Sequence, residues 1–300
     1  GRFGDDLWWW WIPAVLAAED FDGRRYYFGD IHAHTGASGD GGSADLGDCI
    51  RSSDGSAADC GAVADLEALI AEAGLDFVAT VDHVTSDAAT TTDLAFEQVF
   101  SSINALHNPE AGLVTIPGAE IFVELPDGTE LGHRSLLMFG LVSTLDEISI
   151  SDLQPSGSTA NTIAHCGALS TFMTRLEDRF GPALLIPHHP GVDKPMPTDW
   201  TCHDARWAPV VEAYSEHGSS LDADSAFDPP WSGFVPASTV LAALDPAAYD
   251  LRLGLAGGSD NHDTHPGSVC RTDTVLDTHP YGGGLTGVVM RRLLRSSARI

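Results

Sequence analysis

The chain has 300 residues, of which 43% are hydrophobic and 19% charged, and this composition supports a large buried core and excludes a disordered chain. Its 43 acidic and 15 basic residues give a formal net charge of -28. A field of that sign repels nucleic-acid phosphates and anionic lipid, so we expect a small-molecule partner and no nucleic-acid-binding surface.

An apolar segment opens the chain over residues 1–20 and contains four consecutive tryptophans, Trp8 to Trp11. The small residues between Ala14 and Ala18 are typical of the end of an export signal, whereas Asp5 and Asp6 replace its usual positive flank. Two interpretations therefore stay open, a signal-peptide remnant and a segment that packs on the core or at an interface. The run is too short to span a bilayer, and no other stretch is a transmembrane candidate.

From Tyr26 onward, short apolar runs alternate with segments of helical periodicity, a pattern that predicts parallel strands joined by crossover helices. Without an internal repeat or a linker, residues 21–300 are predicted to form one α/β domain. The turn sequence Pro126-Asp127-Gly128 predicts a hairpin between the third and fourth strands. The seven predicted strands are Tyr26 to His34, Leu75 to His83, Leu113 to Val123, His133 to Val142, Ala183 to His189, Ala208 to Ser215 and Leu251 to Ser259. The predicted helices are Ala62 to Ala73, Leu94 to Leu106, Ile163 to Phe180 and Ala237 to Leu244, with a helical stretch at Val288 to Ile300.

Three polar insertions interrupt this scheme, at residues 36–59, 191–206 and 219–236. They follow the ends of predicted strands, where the loops of a barrel build the active site, so we expect them to form its walls and rim. The first insertion is rich in aspartate but lacks the EF-hand spacing, which favours a solvated lid over a calcium site.

The five cysteines favour an oxidising compartment. Cys49 and Cys60 flank a short polar loop without the spacing of a zinc site, so a local disulfide between them is predicted. One further pair can form among Cys166, Cys202 and Cys270. With the acidic surface, this indicates an extracellular or periplasmic protein; in the cytoplasmic alternative, all five cysteines would be small buried apolar groups.

Histidines recur where the predicted strands end. A His-x-His pair on a strand, such as His32 and His34, places both imidazoles on one face because side chains alternate. A mixed nitrogen and oxygen ligand set suits zinc, manganese or iron better than calcium or magnesium. One such histidine alone is more often a hydrogen-bonded structural residue, but clusters at five strand ends indicate a site for two or three metal ions. The clusters are His32-Ala33-His34, Asp82-His83, Gly132-His133, His188-His189 and Asp260-Asn261-His262, with Glu120 ending a similar run.

The order and spacing of these residues resemble the PHP superfamily, named for polymerase and histidinol phosphatase, over most of the chain from Tyr26 to His262. Three segments, Phe28 to His32, Pro187 to Pro190 and Val211 to Gly218, look closer to an uncharacterised branch of it that is often found in exported bacterial proteins. The matching order is His32-x-His34, Asp40, Asp82-His83, Gly118-Ala119-Glu120, His133, His189-Pro190 and Asp260-x-His262.

The resemblance implies a distorted seven-stranded, TIM-like β/α barrel with a trinuclear metal site at the carboxyl ends of its strands. Asp45 and Asp48 are alternatives to Asp40 as a ligand, and His188 is an alternative to His189. The implied ligands are His32, His34, Glu120 and Asp260 for the first metal, Glu120 as a bridge with His133 and His189 for the second, and Asp40, His83 and His262 for the third.

Divalent ions at such a site would lower the pKa of a water molecule, bind phosphoryl oxygens and neutralise charge on the leaving oxygen. We therefore predict a metal-dependent hydrolase that cleaves a small phosphomonoester or phosphodiester with a metal-activated hydroxide. Arg134 and Lys194 are the predicted phosphate contacts, with Arg206 more distant. Glu212 and His217 are predicted to orient a ligand or donate a proton. Arginine and lysine side chains of this kind are more often surface or salt-bridge residues, and His217 could be a loop histidine without a catalytic role.

Two other classes of function are weighed. An amidohydrolase-type enzyme, acting on an amide or lactone, also opens with His-x-His in a barrel, but that class commonly bridges its metals with a carbamylated lysine. The only lysine here, Lys194, lies outside the predicted strands, whereas Glu120 offers the bridge directly. The third class is a non-catalytic module that binds metal for structure.

Overall fold

The structure is a computed structural model that describes residues 24–35, 38, 73–84, 93–155, 162–193, 196–225, 227, 233–262, 266–267 and 283–290. The expected apolar segment at 1–20 and the expected Cys49–Cys60 disulfide lie outside these residues. So does almost all of the predicted helix that starts at Ala62.

Each of the seven predicted strands has a counterpart, with bounds shifted by a few residues. The last described strand replaces the start of the helix predicted at Val288, because it pairs antiparallel with the first strand, Val288 opposite Tyr27. The strands are β1 (Arg25–Ala33), β2 (Phe77–Thr80), β3 (Val114–Glu124), β4 (Glu130–Met138), β5 (Ala183–Pro187), β6 (Val210–Ser215), β7 (Gly218–Ser219), β8 (Gly254–Gly257) and β9 (Thr286–Met290).

Apart from the helix predicted at Val288, two of the predicted helices differ from the structure. The helix expected from Ile163 begins at Cys166 because His165 has an extended backbone, and it ends at Gly181, whose φ of 98° suits glycine. The helix expected from Ala237 is split at Thr239, whose side chain caps the second part. The α-helices are α1 (Asp93–Ala105), α2 (Val142–Leu145), α3 (Cys166–Phe180) and α4 (Val240–Leu244), and 3-10 turns lie at Ile150–Asp152, Trp200–Cys202 and Pro236–Ser238.

The described strands form a curled six-stranded sheet in the order β5-β4-β3-β2-β1-β9 and a three-stranded sheet in the order β7-β6-β8. β1, β2 and β3 are parallel, and the hairpin predicted at Pro126 to Gly128 reverses β4, so that β4 is antiparallel to both β3 and β5. The larger sheet contacts the segments that flank the smaller one at two places. The Leu185 amide of β5 donates a hydrogen bond to the Trp207 carbonyl, just before β6, and Ala33 of β1 forms a β-bridge with Asn261, just after β8. The fold is mixed α/β, and the closed seven-stranded barrel with uniform crossovers is not confirmed.

Two apolar layers cover the two faces of the larger sheet. The inner layer fills the concave side and includes Ile31, Ala79, Ile116, Leu137 and Ile186. The outer layer lies between the sheet and the helices, where α1 and α3 bury their apolar faces, and includes Phe96, Ile121, Leu136, Phe172 and Leu176. Fully burying one such side chain contributes about 1.5–3 kcal/mol, so these layers supply the framework that holds the polar end of the sheet.

One disulfide lies among the described residues, between Cys166 and Cys202, with a Cα–Cα distance of 5.1 Å. It is one of the pairs that the sequence left open among the last three cysteines, and it joins the start of α3 to the 3-10 turn within the 191–206 insertion. A closed loop of this kind typically contributes roughly 2–4 kcal/mol to stability. None of the helices in the described part of the chain is long and apolar enough to cross a membrane.

Candidate metal centre

Imidazoles and carboxylates converge where β1, β2, β5 and β8 end. Because β4 runs in the opposite direction, its beginning meets this edge, and His133 therefore reaches the cluster from the start of a strand. The inner apolar layer lies beneath the cluster, most of whose side chains are buried. Five overlapping groups of these residues have donor atoms within 4.8 Å of one another. The members are His32, His34, His83, Glu120, His133, His188, His189, Glu212, His217, Asp260 and His262.

The deepest group, here called site A, consists of His32, His34, Glu120 and Asp260. The Nε2 atoms of His32 and His34 lie 3.1 Å apart. Asp260 Oδ1 lies 3.2 and 3.3 Å from them, and Glu120 Oε2 lies 3.7 and 3.3 Å away. Ligands about 2.0–2.1 Å from a tetrahedral zinc ion are separated from each other by about 3.3–3.4 Å. The donor atoms of site A therefore already have the spacing of a metal coordination shell.

Glu120 is placed to bridge two ions, because its two oxygens face different histidines. Oε2 faces site A and lies 3.2 Å from His83 Nδ1. Oε1 lies 2.6 Å from His133 Nδ1 and 2.9 Å from His188 Nε2. The carboxyl group is itself buried, so these contacts take the place of water around it.

A second group, here called site B, consists of His133, His188 and His189. Both residues of the His188-His189 pair are brought to the cluster, so the structure gathers the two alternatives instead of choosing between them. His189 has a φ of 32°, and Asp260 has a φ of 54°, a region that residues other than glycine rarely adopt. Such strain costs on the order of 1–3 kcal/mol and is typical of functional sites.

The third group, here called site C, consists of His34, His83 and His262, and the rings of His34 and His262 stack at 4.2 Å. The side chains of His83 and His262 are 12% and 13% exposed, and that of His217 is 11% exposed, whereas those of site A are at most 2% exposed. This side is therefore the mouth of the cluster. Asp40, which was predicted to hold this metal together with His83 and His262, lies outside the described residues.

The histidines of site A are also bonded on their outer sides. His32 Nδ1 lies 3.0 Å from Glu212 Oε2 and 3.3 Å from the Ser135 hydroxyl. His34 Nδ1 lies 2.8 Å from Ser38 Oγ, which in turn donates to Asp82 Oδ1 at 3.0 Å. Such outer contacts fix the tautomer and the orientation of a ligating imidazole.

Ser38 and Ser135 are functional candidates that the sequence did not single out. A serine four residues after His34, in a polar loop, carries no distinctive signal, and Ser135 looks like an ordinary strand residue. Their importance follows only from where the fold places the ring nitrogens.

Burial and neighbouring charges set the protonation states in the cluster. Burial opposes a charge on His34, but the carboxylates of Asp260 and Glu120 outweigh it and raise the pKa of His34 to about 10. Burial also disfavours the charged form of Glu120, yet His83 and the hydrogen bond from His133 keep its pKa well below the usual value. Burial lowers the pKa of His188 to about 3, which leaves it neutral, the form that binds metal.

The donor set fits a metal in a further respect. Among the described residues, Nδ1 of His188, Nδ1 of His189 and Oε1 of Glu212 are buried and have no hydrogen-bond partner. Leaving such an atom unpaired costs about 1–3 kcal/mol, a cost that coordination removes for a ligand. Neutral imidazoles together with ionised carboxylates are the ligands that zinc, manganese and iron accept.

The four predicted catalytic residues are placed differently from one another. Glu212 and His217 belong to the cluster, whereas Lys194 lies outside the described residues. Arg134 follows His133 in β4 and therefore points to the opposite, helix-facing side, where it is 1% exposed and donates to the Leu131 carbonyl. Burial lowers the pKa of Arg134 to about 10. The strand alternation directs Arg134 away from the candidate metal ligands, and its contact with a phosphate stays a prediction.

No protein-family model matches the chain, and no curated protein matches it. Among solved structures, the chain is similar to a presumed metal-dependent phosphoesterase from Bifidobacterium adolescentis, with 14% sequence identity and a TM-score of 0.40. The similarity covers 79% of this chain and 88% of that one. A similarity with this identity and TM-score does not indicate a function for the chain, so the chemistry of the site is inferred from its own geometry.

Proposed function

We propose that the protein is a metal-dependent hydrolase of the PHP type that cleaves a small phosphomonoester or phosphodiester. The observation that carries this proposal is Glu120, a buried carboxylate whose two oxygens face the histidines of two different sites. A bridging carboxylate between histidine groups is suited to two or three ions of zinc, manganese or iron held a few ångströms apart.

The chain's residues have distinct roles in this proposal. Site A, site B and site C hold the cations, with Glu120 as the bridge and Asp40 completing site C. Bound cations would supply an activated water and would neutralise charge on the substrate and the leaving oxygen. His217 lies at the mouth, with Nε2 3.0 Å from Asp260 Oδ2, where it can hold a proton for the leaving oxygen.

The surroundings of the site favour a small anionic substrate that is attracted locally. With a formal charge of -28, the surface as a whole repels anions. Among the described residues, no arginine hydrogen-bonds a member of the cluster, so the cations and Lys194 are the proposed sources of positive charge. An amidohydrolase-type reaction is less well supported, because Glu120 already provides the bridge for which that class commonly uses a modified lysine.

We also propose that residues 21–300 form one domain in which the described strands belong to a distorted seven-stranded barrel. The contacts of Leu185 with Trp207 and of Ala33 with Asn261 support it, since they join the two sheets at both sides. An extracellular or periplasmic location is proposed as well, supported by the disulfide between Cys166 and Cys202 and by the acidic surface.

The test combines elemental analysis of the purified protein with a panel of phosphomonoesters, phosphodiesters, lactones and amides. We expect at least two transition-metal ions per chain and phosphate release that is lost in His32→Ala. His165→Ala is the matched control, because His165 is exposed and its side chain makes no capping bond. Metal without turnover would support the non-catalytic module, lactone or amide cleavage would support the amidohydrolase, and absence of metal would contradict all catalytic proposals.

A further inference from the structure

Site A and site B differ in what lies behind their imidazoles. In site A, both histidines have an outer hydrogen bond, His32 to Glu212 at 3.0 Å and His34 to Ser38 at 2.8 Å. In site B, the rings of His133 and His188 hydrogen-bond Glu120, which is itself a candidate ligand, and Nδ1 of His189 has no hydrogen-bond partner within the described residues. The rings of site A are therefore hydrogen-bonded to residues outside the site, whereas the rings of site B are hydrogen-bonded only to a shared ligand, Glu120.

The two sites also differ in negative charge. Site A contains two carboxylates, Glu120 and Asp260, which together balance a divalent cation. Site B contains three imidazoles and no carboxylate of its own; the nearest are the second oxygen of Glu120 and, 3.7 Å from His188 Nδ1, Oδ2 of Asp260. Because opposite charges attract strongly where water is excluded, a cation is favoured more in site A than in site B.

The contact between His32 and Glu212 depends on close packing. A Cβ atom added at Gly258 would lie 2.6 Å from His32 Cβ and 2.7 Å from Glu212 Oε2. Only glycine at this position lets the strand end lie against both side chains. Glu212 meets Nδ1 of His32, on the side of the ring away from the Nε2 that faces Asp260, so it supports the ring from behind.

From these observations, and resting on the proposed function, we infer that the cluster binds its metal ions with unequal affinity. Site A holds the tight ion, with Glu212 as the positioning residue for His32, and site B holds a weaker, exchangeable ion. In site A, contacts from outside the site set the ring orientation before the ion arrives, whereas in site B the rings of His188 and His189 have no such outer hydrogen bond. The active form is then reached only when the free metal concentration is high enough to fill site B.

The test is a metal titration of the metal-free protein with Co²⁺ in a competing chelator, followed by visible absorption and by elemental analysis after dialysis. The wild type should fill in separate steps, the tightest first. Glu212→Leu should weaken that tightest step by roughly 10- to 100-fold, and Glu212→Gln, whose amide oxygen still accepts from Nδ1, should retain most of it. His189→Ala should remove a weaker step and leave the tightest one unchanged. Circular dichroism checks that each variant is folded.

The outcomes separate this inference from the proposed function. A single binding step for all ions, or equal weakening of every step by Glu212→Leu, would overturn the unequal affinities even if phosphate release is observed. Loss of the tightest step in His189→Ala would reverse the assignment of the two sites. Failure of the wild type to bind any metal would overturn the inference together with the proposed function.

Discussion

The two faces of the larger sheet are built for different purposes. On the outer face, α1 and α3 pack apolar side chains such as Phe172 against strand side chains such as Leu136. On the inner face, the same strands end in the candidate metal centre, where charged and polar groups are buried beside one another. Buried polar groups contribute little to stability unless they are paired, so the outer face is expected to stabilise the fold and the inner face to carry the chemistry.

The largest effect is expected on the inner face from Glu120→Gln. The change keeps the size of the side chain but removes the charge that faces both site A and site B. We expect the protein to lose bound ions and kcat/KM toward its phosphoester to fall about a thousandfold or more, since metal catalysis supplies several kcal/mol. Elemental analysis and steady-state kinetics measure both losses. Full metal content in this variant would contradict the bridging role.

On the outer face, Phe172→Ala should act on stability alone. Phe172 is buried in the layer between α3 and the sheet, and removal of such a ring typically costs about 3–5 kcal/mol. We expect the urea midpoint of unfolding to fall while the number of ions bound by the folded protein stays the same. A change in metal content under folding conditions would show that the two faces are coupled.

The disulfide gives an intermediate effect on the outer face. Replacing Cys166 and Cys202 together with alanine should lower the free energy of unfolding by roughly 2–4 kcal/mol, because the link no longer restricts the unfolded chain. Denaturation of the variant, compared with the reduced and oxidised wild type, measures this. An unchanged unfolding free energy would mean that packing around α3 holds the 191–206 insertion without the link.

The smallest effect is expected from Arg134→Met. This variant tests whether Arg134, which follows His133 in β4, belongs to the outer face and has no part in catalysis. Arg134 is buried without an ion-pair partner among the described residues, and an apolar side chain of similar length avoids the cost of burying its charge. We expect the variant to be more stable, on the order of 1 kcal/mol, with kcat/KM unchanged. A selective rise in KM for phosphoesters would instead restore the role that the sequence predicted for this arginine.

The candidate metal ligands were easier to predict than the residues that hydrogen-bond to them. His32 and His34 were placed together from the period of a strand, and their Nε2 atoms lie 3.1 Å apart. Strand alternation also indicates that Arg134 and His133 point to opposite faces of the sheet, because they are consecutive residues of one strand. The support of His34 by Ser38 and Asp82 depends on a contact between segments 44 residues apart, which no local pattern records.

The strands were predicted well because apolar runs and turn residues are local signals, and each of the seven has a counterpart. The arrangement of those strands in space was predicted less well. The pairing of β9 with β1 and the division into two sheets depend on contacts between distant parts of the chain.

The sequence by itself determined which residue types meet at the strand ends, since periodicity and turn chemistry are properties of neighbouring residues. Only the tertiary structure decided which oxygen of Glu120 faces which histidines, and that Glu212 supports His32 from behind. The physical reason is that a coordination shell is set by distances of about 3 Å between side chains far apart in the chain, and packing alone fixes such distances.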